Sequence, residues 1–345
     1  MKIAFFDAKE YDIKYFDAVN QNRHEITYFK ENLSIDNAYL AKGYDAVCGF
    51  VNTYGDKFVL DILSKNGVKF WLQRSMGYNK INLAYANQLG IKVFRVPNYS
   101  AESVAEFAAC TMMALNRNLL IAQSRVKNFN FSLNHLDGKV VFGSTVSVIG
   151  AGKIGQCFIK IVKGMGAKVL VFDTYSQEHF PELAEKMGFE YVSFKKAIKE
   201  ADFISLHAPL LPSTKYLIDE EAIKIMKPGV IIVNTARGEL IELPAILKGL
   251  KSKKLGGVAV DVLEREEGRF YEDVSSYAKD LKINDPEWAE LLQMENVIVT
   301  SHQAFLTDIA LDQIAKITLA NADDAQNNNF EKALILMDNG RVKNG

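Results

Sequence analysis

Short apolar runs alternate with longer polar, helix-compatible stretches along the first hundred residues. The runs are KIAFFD, EITYF, YDAVCGF and KFWLQR. Alternation of β-rich runs with helical segments is typical of a parallel sheet whose strands are joined by crossover helices. The pattern predicts a first α/β unit that ends near residue 99.

A long helix is predicted to follow this unit. The stretch from Ser100 to about Lys127 carries apolar residues at helical spacing, and Ser100 or Ser103 is placed to cap its start. We expect this helix to join two lobes of the chain.

Six further apolar runs form a second set: TVSVIGAG, KVLVFD, DFISLHAPL, GVIIVNTARG, LGGVAVDVLE and NVIVTSHQ. Each has the pattern of a buried parallel strand that ends in polar or glycine residues. In open α/β sheets the ligand lies beyond the carboxyl ends of the strands. The polar residues found just after these strands are Asp173, His207, Arg237, Asp261, Glu266 and His302.

The expected fold class is α/β, with two Rossmann-like, doubly wound parallel-sheet domains and a cleft between them. Helical periodicity resumes after His302, so the chain is expected to return to the first lobe. We therefore predict a discontinuous substrate-binding domain, 1–99 plus 303–345, and a cofactor-binding domain, 100–302, which includes the joining helix. The final residues, DNGRVKNG, are interpreted as a frayed or solvent-facing tail.

Composition narrows the choice of partners and compartment. The chain has 345 residues, with 41 Lys and Arg against 42 Asp and Glu, so there is no excess of positive charge for nucleic acid or an anionic membrane. Cys48, Cys110 and Cys157 lack CxxC spacing, which argues against a disulfide framework or a metal site. With no signal-like segment or membrane-length apolar run, a cytoplasmic protein is expected.

A glycine motif follows the run VSVI. Gly150, Gly152 and Gly155 form GxGxxG between a predicted strand and a predicted helix, a setting that allows close backbone approach to a pyrophosphate. The next strand ends at Asp173, where a carboxylate can accept hydrogen bonds from a ribose. The following Thr174-Tyr175-Ser176 offers no Arg for a 2′-phosphate. The motif therefore predicts NAD rather than NADP, the alternative being a glycine turn beside an exposed Asp.

Three strand ends carry groups suited to reducing a keto acid. Arg237 can make paired bonds to a carboxylate and polarise a carbonyl, and Glu266 beside His302 would keep the imidazole charged as a proton donor. Each also has a plain structural interpretation: Arg237 as a surface or salt-bridge residue, Glu266 as one member of the charged cluster EREE, and His302 as a helix cap. His207 is expected to wall the cofactor. Asp261 could hold Arg237, meet the nicotinamide carboxamide, or be structural.

Several motifs together resemble the D-isomer-specific 2-hydroxyacid dehydrogenase family: VIGAGKIG, LHAPL, VNTARGELI, GGVAVDVLERE and SHQAFLT. The resemblance covers nearly the whole chain. Within the family, FRVPNYSAESVAEFA, the stretch after it and the extended segment between Glu266 and His302 are most similar to the fermentative D-lactate dehydrogenases of bacteria. The resemblance implies reversible hydride transfer from NADH to pyruvate.

The resemblance also implies roles for individual residues. Arg237 would bind the substrate carboxylate, His302 would be the acid/base and Glu266 its partner. The backbone N–H groups of Met76 and Gly77 would hold the same carboxylate. The aromatic hydroxyl of Tyr99 is a further substrate contact or, equally, a hinge residue, and Phe305 would close the pocket around a small side chain. The implied cofactor contacts, besides the glycines and Asp173, are Lys153, Ile154, Ala208, Pro209, Thr214, Thr235, Ala236 and Asp261.

Alternatives remain open for substrate and assembly. A larger 2-keto acid, such as 2-ketoisocaproate or phenylpyruvate, would use the same chemistry, and a non-enzymatic NAD-sensing protein would use the same fold. The resemblance implies a homodimer or a dimer of dimers packed through the helix from Ser100 to Lys127. A buried intramolecular helix would show the same apolar face.

Overall fold

The computed structural model describes residues 1–330, 334–338 and 341–344. The chain divides into two compact units, Met1–Ser100 with Leu306–Gly345, and Ala101–Phe305. The second border lies three residues beyond the predicted 302/303. The reason is that the Asp261 carboxylate accepts the backbone N–H groups of Gln303 and Ala304, at 2.9 Å each, and so keeps these residues with the second unit.

The strands and helices follow one another in the alternation typical of α/β proteins. The strands are β1 Lys2–Phe5, β2 Glu25–Tyr28, β3 Ala46–Gly49, β4 Phe70–Gln73, β5 Lys92–Arg95, β6 Thr145–Ile149, β7 Lys168–Phe172, β8 Glu190–Tyr191, β9 Phe203–Leu206, β10 Val230–Asn234, β11 Leu255–Val260, β12 Val297–Val299, β13 Leu334–Asp338 and β14 Arg341–Asn344. The helices are α1 Glu10–Asn20, α2 Lys57–Lys65, α3 Leu83–Gln88, α4 Ala101–Asn116, α5 Leu119–Lys127, α6 Lys153–Gly164, α7 Thr174–His179, α8 Leu183–Met187, α9 Phe194–Glu200, α10 Glu220–Ile225, α11 Leu243–Lys251, α12 Ala278–Asn284, α13 Pro286–Gln293 and α14 Asp308–Gln326. Short 3₁₀ turns span Ala38–Ala41, Gly238–Leu240 and Ser275–Tyr277.

The first unit has a sheet with strand order β14-β13-β5-β4-β3-β1-β2. Its five strands β1 to β5 are parallel and follow the doubly wound order 2-1-3-4-5. Helix α14 returns to this unit and packs against α1. The apolar runs of the first hundred residues predict four of these strands. They miss β5, in which only Val93 and Phe94 are buried between charged ends.

Strands β13 and β14 extend this sheet by an antiparallel pair. The interpretation of the last residues, 338–345, as a tail was therefore wrong for Asp338, which ends β13, and for 341–344, which pair with 335–338. Residues 339–340 and 345 of that segment lie outside the described residues. Strand β13 is itself an apolar run, LILM, and pairs with the open edge of β5, whereas β14 has a single apolar residue and is fixed by backbone pairing with β13.

The second unit has a sheet of parallel strands in the order β12-β11-β10-β9-β6-β7-β8. This is the Rossmann order with one added strand, and the order reverses between β6 and β9. The expected α/β class with two doubly wound sheets is confirmed. Because ligands lie outside the carboxyl ends of strands at such a switch point, the turn after β6 is the expected binding position.

The helix predicted from Ser100 to Lys127 was wrong in its continuity, since α4 and α5 are separate helices. Asn118 between them has φ +50. The side chain of Asn116 pairs with the backbone of Lys139, and that of Asn118 donates to the Asp137 carbonyl. These side-chain bonds compete with continuation of the helix. Helix α4 lies in the core of the second unit, whereas α5 has no buried residue.

No helix among the described residues is long and apolar enough to cross a membrane. The described part of the chain also holds no group of three or more His, Cys, Asp or Glu side chains arranged to bind a metal ion.

Candidate active site

The glycine-rich turn after β6 is shaped by close backbone contacts. Gly150 has φ +104, and a Cβ there would lie 2.7 Å from the His207 carbonyl group. A Cβ on Gly155 would lie 2.1 Å from the Gly150 oxygen. Only glycine fits either position. By contrast, a Cβ on Gly152 would meet nothing within 4 Å, so the backbone faces open space there.

Helix α6 begins directly after Gly152, which has no side chain to cap it. The first N–H groups of a helix lack intrahelical partners and carry partial positive charge. Of the predicted contacts in this first turn, Lys153 is exposed and Ile154 is half-buried. Open space in front of uncapped N–H groups fits the pyrophosphate of a dinucleotide.

Asp173 lies at the carboxyl end of β7 and faces this turn. Its carboxylate accepts the Ala151 N–H at 2.7 Å and caps α7 through the Ser176 N–H at 2.8 Å. The side chain is half-buried, and no cation forms a salt bridge with it among the described residues. A carboxylate held beside the glycine turn fits ribose hydroxyls and would repel a 2′-phosphate.

The loop after β9 carries three predicted cofactor contacts. The Thr214 hydroxyl donates to the Pro209 carbonyl at 2.6 Å and accepts the Leu211 N–H at 2.8 Å. Ala208 is buried and Pro209 is exposed. Thr214 therefore shapes this loop through its own backbone bonds.

His207 stands at the start of the same loop. Its Nε2 lies 2.9 Å from Ser205 Oγ, and its ring packs 5.0 Å from that of Phe158. Burial lowers the pKa of His207 to about 3. The ring is therefore neutral near neutral pH, which suits a wall of the site rather than a proton donor.

The turn after β10 positions Arg237. The Asn234 side chain donates to the Arg237 carbonyl at 2.8 Å and accepts the Ala236 N–H at 3.0 Å. Asn234 is fully buried, so this brace is rigid. Thr235, also in the turn, has a buried hydroxyl with no hydrogen-bond partner among the described residues. An unpaired buried hydroxyl is costly unless a ligand completes it.

Arg237 itself is half-buried. One guanidinium nitrogen donates to the Ala236 carbonyl at 2.6 Å. No carboxylate of the described residues lies within ion-pair distance of it, so the predicted salt-bridge alternative was wrong. The remaining donors of this permanently charged, planar group are available to an anion.

Gly238 locks this turn against the segment that leads to Glu266. A Cβ on Gly238 would lie 2.2 Å from the Leu263 carbonyl carbon and 2.4 Å from the Glu264 nitrogen. The two turns are therefore in backbone contact, and no other residue allows that approach.

His302 and Glu266 form a pair, as the sequence predicts. His302 Nδ1 lies 2.9 Å from Glu266 Oε1, and the other Glu266 oxygen accepts the Leu263 N–H at 3.1 Å. The two side chains are 22% and 18% exposed. With Nδ1 held by the carboxylate, Nε2 has no partner among the described residues and is the nitrogen able to exchange a proton.

The backbone of His302 is held in the left-handed region, with φ +55. Its carbonyl accepts the Tyr271 hydroxyl at 3.0 Å. Helix α14 is capped instead by Thr307, so the helix-cap interpretation of His302 was wrong. A non-glycine residue in this region is strained and needs fixing contacts.

Asp261 supplies these contacts next to His302. One carboxylate oxygen accepts the Thr300 hydroxyl at 2.6 Å and the Gln303 N–H, and the other accepts the Ala304 N–H. Burial raises the pKa of Asp261, and these hydrogen bonds oppose the rise. No hydrogen bond or ion pair with Arg237 is formed among the described residues. Asp261 thus holds the His302 segment, and its predicted nicotinamide contact stays a prediction.

The remaining predicted substrate residues fall in separate units. Met76, Gly77 and Tyr99 belong to the first unit and are half-buried. Phe305 ends the second unit and is buried. Their substrate roles stay predictions.

The extended segment between Glu266 and His302 folds upon itself. Trp288 packs against Phe270 and donates its indole N–H to the Glu264 carbonyl at 3.0 Å, and Arg269 pairs with Asp285 at 2.8 Å. An apolar cavity of about 340 Å³ lies beneath it. The residues that line this cavity do not include Arg237, Glu266 or His302, so the cavity is separate from these three side chains.

The amino-acid sequence matches one family profile and is similar to enzymes of that family. Residues 109–304 match the sequence profile described as D-isomer specific 2-hydroxyacid dehydrogenase, NAD binding domain. The chain is 42% identical over 327 residues to the D-lactate dehydrogenase of Escherichia coli strain K12, which covers 94% of this chain and 97% of that protein. It is 43% identical over 328 residues to 2-hydroxyacid dehydrogenase A of Aspergillus oryzae, which covers 94% and 92%.

Among solved structures, the apo-structure of D-lactate dehydrogenase from Escherichia coli has a TM-score of 0.87 and 39% identity to this chain. The match covers 97% of this chain and all of that one. The similarity therefore extends over both units.

Proposed function

Because the chain belongs to the D-isomer specific 2-hydroxyacid dehydrogenase family, we propose that it is a D-lactate dehydrogenase that reduces pyruvate with NADH. It binds NAD and is an NAD-dependent D-2-hydroxyacid oxidoreductase. The observation that most supports the proposal is the position of Arg237, which is half-buried and has no ion-pair partner among the described residues. It follows β10, and the paired Glu266 and His302 follow the next two strands of the sheet, β11 and β12.

The cofactor is bound, in this proposal, along the carboxyl edge of the second sheet. The N–H groups at the start of α6 hold its pyrophosphate, and Asp173 accepts its adenosine ribose hydroxyls. The backbone at Thr235 and Ala236, the loop at Ala208 and Pro209, and Asp261 border the nicotinamide side. When bound, NADH supplies a hydride for the keto carbon.

The residues of the chain supply the rest of the reaction. Arg237 holds the substrate carboxylate in a paired contact and draws negative charge onto the keto oxygen. His302 gives its Nε2 proton to that oxygen as the carbon is reduced, so the carbonyl becomes the alcohol of D-lactate. Glu266 holds Nδ1 and stabilises the charged ring before transfer. The N–H groups of Met76 and Gly77 hold the same carboxylate from the first unit, with Tyr99 and Phe305 beside the substrate.

The proposal for pyruvate is tested by comparing substrates. Loss of NADH absorbance should be fastest with pyruvate, with kcat/KM at least about tenfold above that for 2-ketoisocaproate or phenylpyruvate, the difference expected for a pocket built for a methyl group. In reverse, D-lactate and not L-lactate should reduce NAD. Preference for a larger keto acid would contradict the pyruvate assignment, and NADH binding without turnover of any keto acid would favour a sensing protein.

We also propose that the chain forms a homodimer or a dimer of dimers through α5. This helix has no buried residue, and it exposes Leu119 and Leu120 to 58% and 57%. Apolar side chains of this size gain stability when a second copy covers them.

Sedimentation equilibrium tests the assembly. The wild type should sediment as a dimer or larger, and the double variant Leu119→Asp/Leu120→Asp should shift to monomer. Ile309→Asp, on the exposed side of α14, is the matched control and should leave the mass unchanged. A monomeric wild type would contradict the proposal.

A further inference from the structure

Three successive carbonyl groups are held by hydrogen bonds in the loop that follows β4. The Ser75 carbonyl accepts the Val96 N–H at 3.3 Å, and the Met76 carbonyl accepts an Arg95 guanidinium nitrogen at 3.2 Å. The Gly77 carbonyl accepts the Ser75 hydroxyl at 2.8 Å. Three successive peptide groups are thus anchored by their oxygens.

In a trans peptide the N–H points away from the C=O, and none of the peptide bonds between described residues is cis. Each N–H shares a peptide group with the preceding carbonyl, so anchoring the Ser75 and Met76 oxygens turns the N–H groups of Met76 and Gly77 to the opposite side of the chain. Neither N–H has an acceptor among the described residues. Successive outward N–H groups of this kind form an anion-binding concavity.

A chain of buried side chains holds the Gly77 end of this loop. The Trp71 indole N–H donates to Gln73 Oε1 at 2.9 Å, and Gln73 Nε2 lies 2.8 Å from Ser75 Oγ. Gln73 Nε2 also lies 3.3 Å from the Gly77 carbonyl. Trp71, Gln73 and Ser75 are 0%, 2% and 6% exposed.

The donor and the acceptor of each hydrogen bond in this series of side chains can be assigned. An indole N–H can only donate, so the oxygen of the Gln73 amide faces Trp71 and its NH₂ faces Ser75. The Ser75 hydroxyl therefore accepts from Gln73 and gives its own proton to the Gly77 carbonyl. Buried polar groups are costly unless fully bonded, and here each one is bonded in a single consistent direction.

We propose that Gln73 and Ser75 are positioning residues for the substrate carboxylate. They act through the backbone: their hydrogen bonds clamp Gly77 to Ser75, which fixes the loop whose N–H groups at Met76 and Gly77 bind the carboxylate. This inference rests on the proposed function. Because the carboxylate is bound alike before and during reduction, loss of the clamp weakens substrate binding more than it slows the chemical step.

Two variants test the clamp in the full-length protein. Ser75→Ala removes the central hydroxyl. Gln73→Glu keeps an acceptor for Trp71 but has no NH₂, so it takes the Ser75 proton away from Gly77. Each should raise KM for pyruvate, and the Kd of the analogue oxamate, about five- to twentyfold, the scale of one to two hydrogen bonds. In both variants kcat should stay within about twofold of the wild-type value, because a contact that is equally strong before and during reduction does not alter kcat. The affinity for NADH should be unchanged.

Matched variants separate this role from a general structural one. Ser75→Thr retains the hydroxyl and should recover most of the wild-type KM. Gln88→Glu places the same change of charge on the exposed side of α3 and should leave KM unaltered. Thermal unfolding of each variant verifies that the fold is intact.

The outcomes distinguish the clamp from the function on which it rests. An active wild type with unchanged pyruvate KM and oxamate Kd in both Ser75→Ala and Gln73→Glu would overturn the clamp alone. A fall in kcat with unchanged KM would overturn it too. A wild type that reduces no 2-keto acid would overturn the proposed function, and the clamp with it.

Discussion

His302→Asn should lower kcat for pyruvate reduction by about 10²–10⁴-fold, the contribution typical of a general acid. Asparagine tolerates the left-handed backbone that His302 adopts at φ +55, and its amide can still donate to Glu266. The substitution therefore removes the transferable proton with little change in backbone. Stopped-flow measurement of a single turnover reports the chemical step directly.

NADH affinity, followed by fluorescence, should be unchanged in His302→Asn. His135→Asn is the matched control, because His135 is exposed and also has a positive φ, +62. Its turnover should equal that of the wild type. Near-wild-type kcat in His302→Asn would remove His302 from the mechanism.

Arg237→Lys should lower kcat/KM for pyruvate by about 10²–10³-fold, the effect typical of losing one group that stabilises developing charge. Lysine keeps the positive charge, but it lacks the planar pair of donors needed for a carboxylate and its neighbouring carbonyl. The Asn234 brace acts on backbone atoms, so it remains in the variant. Binding of oxamate should weaken in parallel, while NADH binding is retained.

Arg125→Lys is the control for this exchange. Arg125 is half-buried like Arg237, and its guanidinium donates to the Asn134 carbonyl within the same unit. If Arg237→Lys retained wild-type kcat/KM, the half-buried guanidinium would have no role in binding the substrate.

The Glu266–His302 pairing is predictable from the sequence because both residues follow apolar runs that mark strands. Arg237, Glu266 and His302 come after β10, β11 and β12, and these strands are neighbours in one parallel sheet. Their carboxyl ends therefore meet at one edge, which follows from strand order alone. The Glu266–His302 hydrogen bond is the direct result.

The groups that hold these residues are not predictable in the same way. Asn234 and Tyr271 act through backbone carbonyls and N–H groups, and side chains that bond to backbone leave no pattern of spacing. Gly238 is marked only by a clash that a Cβ would cause with a segment far along the chain. The sequence does offer one kind of signal for such holding residues. It is a buried polar residue within an apolar run, such as Gln73 in KFWLQR.

Contacts with other segments of the chain explain why the predicted elements differ from those in the structure. The break between α4 and α5 depends on Asn116 and Asn118 bonding to residues 137–139, a contact across a loop. The strands at 334–338 and 341–344 depend on an open sheet edge, which exists only once β5 is in place. The break between α4 and α5 and the strand β14 are not encoded by a pattern within their own segments, whereas the apolar run LILM of β13 is a strand signal that the sequence does carry.

The proposed proton donor, its carboxylate partner and the cation all lie in one stretch of the second unit, between Asn234 and Ala304, and are braced there by Asn234, Gly238 and Asp261. Loops of the first unit other than the one at Met76 and Gly77 can then vary without disturbing the proposed chemistry. A designer who wants a new hydroxyacid as product would keep 234–304 and the loop at 73–77 unchanged and diversify the rest of the first hundred residues.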